Sequence, residues 1–169
     1  MFNIDLRSRA LKVKLAAFDI DGVMTDGSMI YDENGLQYKT FNAKDGQGIA
    51  MLVKMGIKTA VITAKESGAV LKRAQDLGMT KVCQGVKNKL DVMKQLVSEF
   101  GIDMSETAYM GDDLPDISLL KETGLASCPN DAVSEVKSIC HFVSSKRGGR
   151  GAVRELADLI YKTQTKNRS

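Results

Sequence analysis

The 169-residue chain has no tryptophan, two prolines, one histidine and three cysteines, and aromatic residues make up only 5% of it. Each shortage removes a class of function. Cys83, Cys128 and Cys140 are odd in number and lack metal-type spacing, which argues against a disulfide framework or a thiolate metal site. They read as reduced, buried thiols of a cytoplasmic protein. The one histidine, His141, lies in the apolar-flanked stretch CHFV, where a structural role is expected, so histidine-based catalysis has almost nothing to stand on. No stretch reaches the eighteen or so consecutive apolar residues of a membrane span, and no signal-peptide pattern is read at the start. Neither sign of charge dominates: the net charge is +3, and the basic residues are spread out without aromatic interleaving. Nucleic acid is therefore disfavoured as a partner, while a small anionic ligand stays open.

What is present reads as one domain over residues 1–169. Short apolar runs at 15–20, 58–63, 81–84, 107–111, 125–128 and 141–143 have the length and composition of strands. Helical patterns fall between them, at 48–54, 67–77, 89–100, 114–122, 132–137 and 152–162. In LDVMKQLVSEF, for example, Leu90, Met93, Leu96, Val97 and Phe100 recur on one helical face. Strand then helix, repeated, predicts an α/β fold, a doubly wound parallel sheet covered on both faces. One segment breaks the alternation: β-prone arms at 29–31 and 36–41 flank the turn signal Asn34-Gly35, predicting a β-hairpin flap at about residues 28–41. The last seven residues, TQTKNRS, read as loose.

Ligands of an open α/β sheet bind beyond the carboxyl ends of its strands. There the chain places Asp19 and Asp21 after the first strand, Thr63 after the second, Lys89 at a helix start after the third, and Asp112, Asp113 and Asp116 of GDDLPD after the fourth. Clustered carboxylates would push each other's pKa upward unless a hard dication relieved them, and oxygen-only ligands suit Mg²⁺. A metal, a threonine hydroxyl, a lysine and backbone amides form a cradle for a phosphoryl group. With no cysteine or histidine placed to attack, the nucleophile is a carboxylate and the intermediate an aspartyl-phosphate. Asp19 sits at the rigid strand end, and Asp21 points the same way and can carry the proton.

DIDGVMTDG, Thr63, Lys89 and GDDLPD resemble the four motifs of haloacid dehalogenase-type phosphatases. The resemblance implies that Asp19 is the nucleophile and Asp21 the general acid/base. It also implies that Asp19, the Asp21 carbonyl and Asp112 hold Mg²⁺, that Thr63 and Lys89 grip the phosphate, and that Asp113 and Asp116 order metal-bound water and Lys89. That superfamily usually covers its site with an inserted cap domain. The gaps 21–63 and 63–89 have no room for one, so a neighbouring subunit is expected to close the site.

The capless layout is similar to the 3-deoxy-D-manno-octulosonate 8-phosphate phosphatases, tetramers built around such hairpins, and the likeness runs from DIDGVMTDG through FNAKDGQGI to GGRGAVREL. It implies a sugar acid phosphate substrate in lipopolysaccharide precursor synthesis. Substrate contacts are implied for Asn42, Ala43, Lys44, Asp45 and Gly46, and for Lys65, Arg73 and Lys89. Two positions depart from the pattern: Lys44 replaces a usual arginine, and Ala64-Lys65 follows Thr63 in place of Gly-Arg. Lysine keeps the charge but loses the bidentate carboxylate fork. A phosphatase of a nine-carbon relative would fit the altered cations. Of other classes, a signalling receiver domain has its acidic pair early and its acceptor in mid-chain, unlike this order, and a non-catalytic binding module would leave the catalytic residue types without a use. GGRG and its basic neighbours read equally as a plain loop or as a contact for an anion or a subunit.

Overall fold

Four consecutive apolar residues, Leu15–Phe18, have no polar face to offer water. In the computed structural model of the chain, which describes residues 4–166, they form the central strand β1 with all four side chains buried. The later strands are Ile30–Tyr31 (β2), Gln37–Tyr38 (β3), Lys58–Ile62 (β4), Lys81–Cys83 (β5), Thr107–Met110 (β6), Leu125–Cys128 (β7) and Phe142–Val143 (β8). Among the described residues, β1 and β4 to β8 form one parallel sheet in the order β5-β4-β1-β6-β7-β8. The chain winds outward from β1 in one direction, then returns and continues in the other. This is the doubly wound order, and the reversal opens a crevice at the carboxyl end of β1, between β4 and β6.

The helices are Ile4–Lys12 (α1), Ala43–Lys54 (α2), Gly68–Asp76 (α3), Lys89–Phe100 (α4), Ile117–Glu122 (α5), Ser134–Lys137 (α6) and Ala152–Lys166 (α7). Alternation along the strands divides the core in two. Ala16, Phe18, Val61 and Met110 face the layer of α1, α2, α3 and α7, while Leu15, Ala17, Ile62 and Tyr109 face that of α4, α5 and α6. His141 Nδ1 accepts from the Ala126 amide at 3.0 Å, and the three cysteines are free thiols, Cys128 buried and Cys83 and Cys140 half-buried.

Several boundaries differ from the expected ones. Helix α1 has no counterpart in the sequence reading because IDLRSRALK is polar with Ala10 its one fully buried residue. It is held from outside, by Gln164 of α7, whose Nε2 donates to the carbonyls of Ala10 (3.2 Å) and Val13 (2.8 Å). Helix α2 starts five residues early: the Asn42 side chain accepts from the Lys44 and Asp45 amides, and this cap outweighs the poor helix propensity of Gly46 and Gly48. Residues 114–116 form a separate 3₁₀ turn before α5, α6 begins at Ser134, and α7 runs on through Lys166, so 163–166 are helical. Residues 167–169 of the expected loose end lie outside the described residues.

No domain is inserted between β1 and β4, only the β2–β3 hairpin and α2. The hairpin is short, pairing Ile30 with Tyr38 and Tyr31 with Gln37. Asp32 shapes its turn, its Oδ1 accepting from the Asn34 (2.9 Å) and Leu36 (2.8 Å) amides. Ile30, Tyr31, Leu36 and Tyr38 are all exposed, whereas Phe41 packs against the core.

Asp45 ties α2 to α7. Its carboxylate is 2% exposed and accepts from the amides of Gly151 (3.2 Å) and Arg154 (2.9 Å), capping α7 from another element. Burial pushes its carboxyl up, and those amides oppose the rise. Asp45→Ala is expected to cost about 1–3 kcal/mol, a fall of roughly 2–4 °C in Tm per kcal/mol for a chain of this size. Thermal denaturation measures it, and an unchanged midpoint would remove the cap from the account.

Candidate active site

Three strand ends meet at the crevice. Asp19 follows β1, Thr63 follows β4 and Asp112 follows β6, and the Asp19 amide donates to the Met110 carbonyl at 3.0 Å. A cleft of about 310 Å³ opens there, lined by Asp19, Asp21, Thr63, Lys65, Lys89, Asp112, Asp113 and Asp116. Residues scattered over nearly a hundred positions are thus brought together as the sequence order implies.

Lys89, at the first turn of α4 and 5% exposed, is the central cation. Its Nζ donates to Asp19 Oδ2 and to Asp116 Oδ1, each at 2.6 Å. Burial favours the neutral amine, but Asp19 and Asp116 outweigh it and the lysine pKa is raised. Asp116 is saturated. Its Oδ1 also accepts from the Tyr109 hydroxyl (2.7 Å), and its Oδ2 accepts from the amides of Asp112 (2.9 Å) and Asp113 (3.2 Å). Tyr109 is a site residue that sequence reasoning missed. Its only signal was a phenol inside the apolar strand TAYM, where a buried hydroxyl needs a partner. Burial and the Asp116 charge push its pKa well up, so it stays a donor.

Carboxylate oxygens of Asp19, Asp112 and Asp116 lie within 4.8 Å of one another. Asp116 is spoken for, and Asp19 Oδ1 accepts from the Ile20 amide (2.7 Å) and its Oδ2 from Lys89. The Asp112 carboxylate takes no hydrogen bond among the described residues. Burial, then the charges of Asp116, Asp19 and Asp113, push its pKa up to about 8. Burial and Asp116 also raise Asp19, against Lys89 and the Ile20 amide. This donor set is oxygen-only and short of positive charge, and it fits a hard dication between Asp19 and Asp112.

The loop after β1 is shaped for this. Gly22 has φ +84°, and a Cβ there would stand 2.0 Å from Asp112 Oδ2, so only glycine lets the loop reach the second carboxylate. The GGRG stretch turns out to be a buttress. The Gly149 amide donates to the Val23 carbonyl (2.9 Å), and a Cβ on Gly148 would meet the Gly22 carbonyl oxygen at 1.8 Å.

Other sequence-assigned residues lie outside the cleft. Asn42 caps α2, Ala43 is exposed beside it, and Asp45 caps α7. Arg73 lies under the start of α2, its Nη2 donating to the Asn42 carbonyl (3.2 Å) and its guanidinium 5.9 Å from the Phe41 ring centroid. A Cβ on Gly46 would be 2.1 Å from Arg73 Nη2, so that glycine makes room for the arginine. Lys44 lines a different cleft, beside Lys146, Arg150 and Arg154 near α7. Thr63 is buried, 3% exposed, at the cleft wall, and Asp113 is exposed at its rim, accepting from the Leu114 amide (2.7 Å).

Residues 78–156 match the model of a haloacid dehalogenase-like hydrolase family. The chain is 37% identical over 162 residues to the 3-deoxy-D-manno-octulosonate 8-phosphate phosphatase of Yersinia pestis, covering 96% of this chain and 87% of that one. It is 35% identical to the Haemophilus influenzae enzyme of the same name, over 96% of this chain and 90% of that one. Its fold superposes with a TM-score of 0.93 on a crystal structure of the Moraxella catarrhalis 3-deoxy-D-manno-octulosonate 8-phosphate phosphatase, in complex with magnesium ion, phosphate ion and a KDO molecule; identity is 37%, over 95% of this chain and 92% of that one.

The raised Asp112 carboxyl has a thermodynamic consequence. A carboxyl whose folded pKa lies above its unfolded value loses stability as pH rises from the ordinary carboxylate range toward about 8. A dication that requires the carboxylate removes that loss. Metal-free protein should therefore melt lower at pH 8 than at pH 6, and the Tm gain on adding Mg²⁺ should be larger at pH 8. Equal gains at both pH values in differential scanning fluorimetry would take Asp112 out of the metal site.

Proposed function

The chain belongs to the 3-deoxy-D-manno-octulosonate 8-phosphate phosphatase family of haloacid dehalogenase-like hydrolases, and on that footing we infer that it is a Mg²⁺-dependent phosphoric monoester hydrolase. Its substrate is the 8-phosphate of that eight-carbon sugar acid, released as free sugar acid and phosphate for lipopolysaccharide precursor synthesis. The gathering of Asp19, Asp21, Thr63, Lys89 and Asp112 around one cleft is the observation that supports this reading most.

In this reading Asp19 attacks phosphorus and forms the aspartyl-phosphate as the ester P–O bond breaks. Asp21 gives its proton to the departing sugar oxygen. A water then attacks the same phosphorus, Asp21 takes its proton, and phosphate leaves with the Asp19 carboxylate restored. Mg²⁺, held by Asp19, the Asp21 carbonyl and Asp112, supplies positive charge beside the phosphoryl group and the carboxylates. Thr63 and Lys89 hold phosphoryl oxygens, Asp116 keeps Lys89 in place, and Asp113 orders water at the rim. The sugar's carboxylate needs a cation beyond the phosphate site, and of Lys44, Lys65 and Arg73 only Lys65 lines the cleft, so Lys65 is the first choice for that contact. Asn42 to Gly46 then act by shaping the start of α2 beside the site.

The whole chain, 1–169, acts as one phosphatase domain with the flap at about 28–41, in the cytoplasm. Copies assemble, as a tetramer, through the hairpins. Exposure of Tyr31 (59%), Leu36 (58%), Tyr38 (51%) and Ile30 (49%) supports this, because a two-stranded hairpin with so little packing is marginal alone.

Two measurements test these points. Asp19→Asn should abolish turnover while the fold and Mg²⁺ binding survive, since phosphate monoester hydrolysis is among the slowest uncatalysed reactions, with enhancements of up to about 10²¹. Turnover within about tenfold of the parent would remove Asp19 as nucleophile. Light scattering should give a multiple of the 18.4 kDa chain mass. A monomer mass with full activity at high dilution would overturn the assembly.

A further inference from the structure

Lys39 follows the second arm of the hairpin and turns back into the protein. Its side chain is 3% exposed, and Nζ donates to Asp21 Oδ1 at 2.5 Å. Among the described residues Lys39 has no other ion-pair or hydrogen-bond partner for its side chain. A lysine beside an exposed hairpin could keep its ammonium in water at no cost, and burying it is unfavourable unless a charge faces it. The pair spans the residue that lines the cleft and the segment that carries the flap. It occupies one oxygen of Asp21 and leaves Oδ2 without a hydrogen bond among the described residues.

We propose that Lys39 is a positioning residue for the proton carrier: it fixes Asp21 by one oxygen so that the other meets the leaving oxygen of the substrate. This rests on the assignment of Asp21 as general acid. In the first step the Asp19 carboxylate bonds to phosphorus, the ester P–O bond breaks, and the proton passes from Asp21 to the sugar oxygen. Asp21 is then anionic, with the Lys39 ammonium already in contact. A carboxyl carried on a loop and free to turn would lose this alignment, and small misplacements of a catalytic group cost up to about a hundredfold. The flap and the proton carrier are thereby joined by one ion pair.

The test is kcat/KM for Lys39→Met, Asp21→Asn and the double variant, on the sugar acid 8-phosphate and on 2,4-dinitrophenyl phosphate. This ratio ends at departure of the leaving group, so hydrolysis of the phosphoenzyme does not enter it. Dinitrophenolate departs without a proton, whereas a sugar alkoxide requires one. Lys39→Met should lose about ten- to a hundredfold on the sugar phosphate, and its loss on the aryl ester should be at least tenfold smaller. Asp21→Asn should show the same pattern, about 10²–10⁴ on the sugar phosphate. Adding Lys39→Met to Asp21→Asn should then cost little more, because the two act as a unit. Lys39→Arg, which keeps the charge, should recover part of the loss, and it serves as the second variant if Lys39→Met does not fold. Equal losses on both esters, no loss on either, or additive losses in the double variant would each show that Lys39 only pins the hairpin, and would overturn the proposal. Equal losses for Asp21→Asn would instead remove Asp21 as proton carrier, and Lys39 with it.

Discussion

The site depends on one buried ammonium. Lys89 is 5% exposed and stays charged because Asp19 and Asp116 face it at 2.6 Å on two sides. Asp116 is itself 1% exposed and is tolerated only because four donors reach its two oxygens. Removing one partner of such a pair typically costs about 3–5 kcal/mol, since the remaining charge is left buried and alone. The geometry of Asp19 is therefore set from behind, by a network that begins at Tyr109 inside β6 and ends at the cleft. A carboxylate held this way does not have to be ordered when a ligand arrives.

Backbone constraints complete what the charges begin. The turn after β1 needs the positive φ of Gly22 to bring the loop against Asp112, and the same loop is pressed from outside by Gly148 and Gly149. Those glycines immediately precede α7, whose first turn is capped by Asp45 of α2. The end of the chain thus braces the loop near its beginning, across more than a hundred residues. Asp45, for which the family resemblance implies a substrate contact, is part of this brace, and so is Gly148 of GGRG, a stretch that read equally as a plain loop or as a contact for an anion or a subunit.

The doubly wound parallel sheet and the acidic cleft were legible because both follow from local pattern plus one topological rule. Apolar runs mark strands, and polar groups at their carboxyl ends mark the crevice. Thr63, Lys89 and Asp112 could be placed without knowing a single contact. Helix α1 was not legible, because its stability comes from Gln164 and a docking face rather than from its own nine residues. The start of α2 was hidden by Gly46 and Gly48, whose propensity cost is offset by the Asn42 cap. Tyr109 and Lys39 were missed for the same physical reason. Each acts through a long side chain reaching a carboxylate distant in sequence, and composition and periodicity do not report reach.

Charge balance explains why these parts belong together. Asp19, Asp21, Asp112, Asp113 and Asp116 line the cleft, against the cations Lys65, Lys89 and, through Asp21, Lys39. Two negative charges remain in excess, and at Asp112 burial together with the charges of Asp116, Asp19 and Asp113 outweighs Lys89 and pushes the carboxyl up to about 8. A dication there neutralises the excess, and only then can a phosphoryl dianion enter without repulsion. A fourth lysine in place of the metal would leave the charge unbalanced by one and would occupy a position that substrate oxygens need. The acidic surplus is thus the condition for binding an anion through a metal, which is why a protein that acts on phosphate lines its site with aspartates.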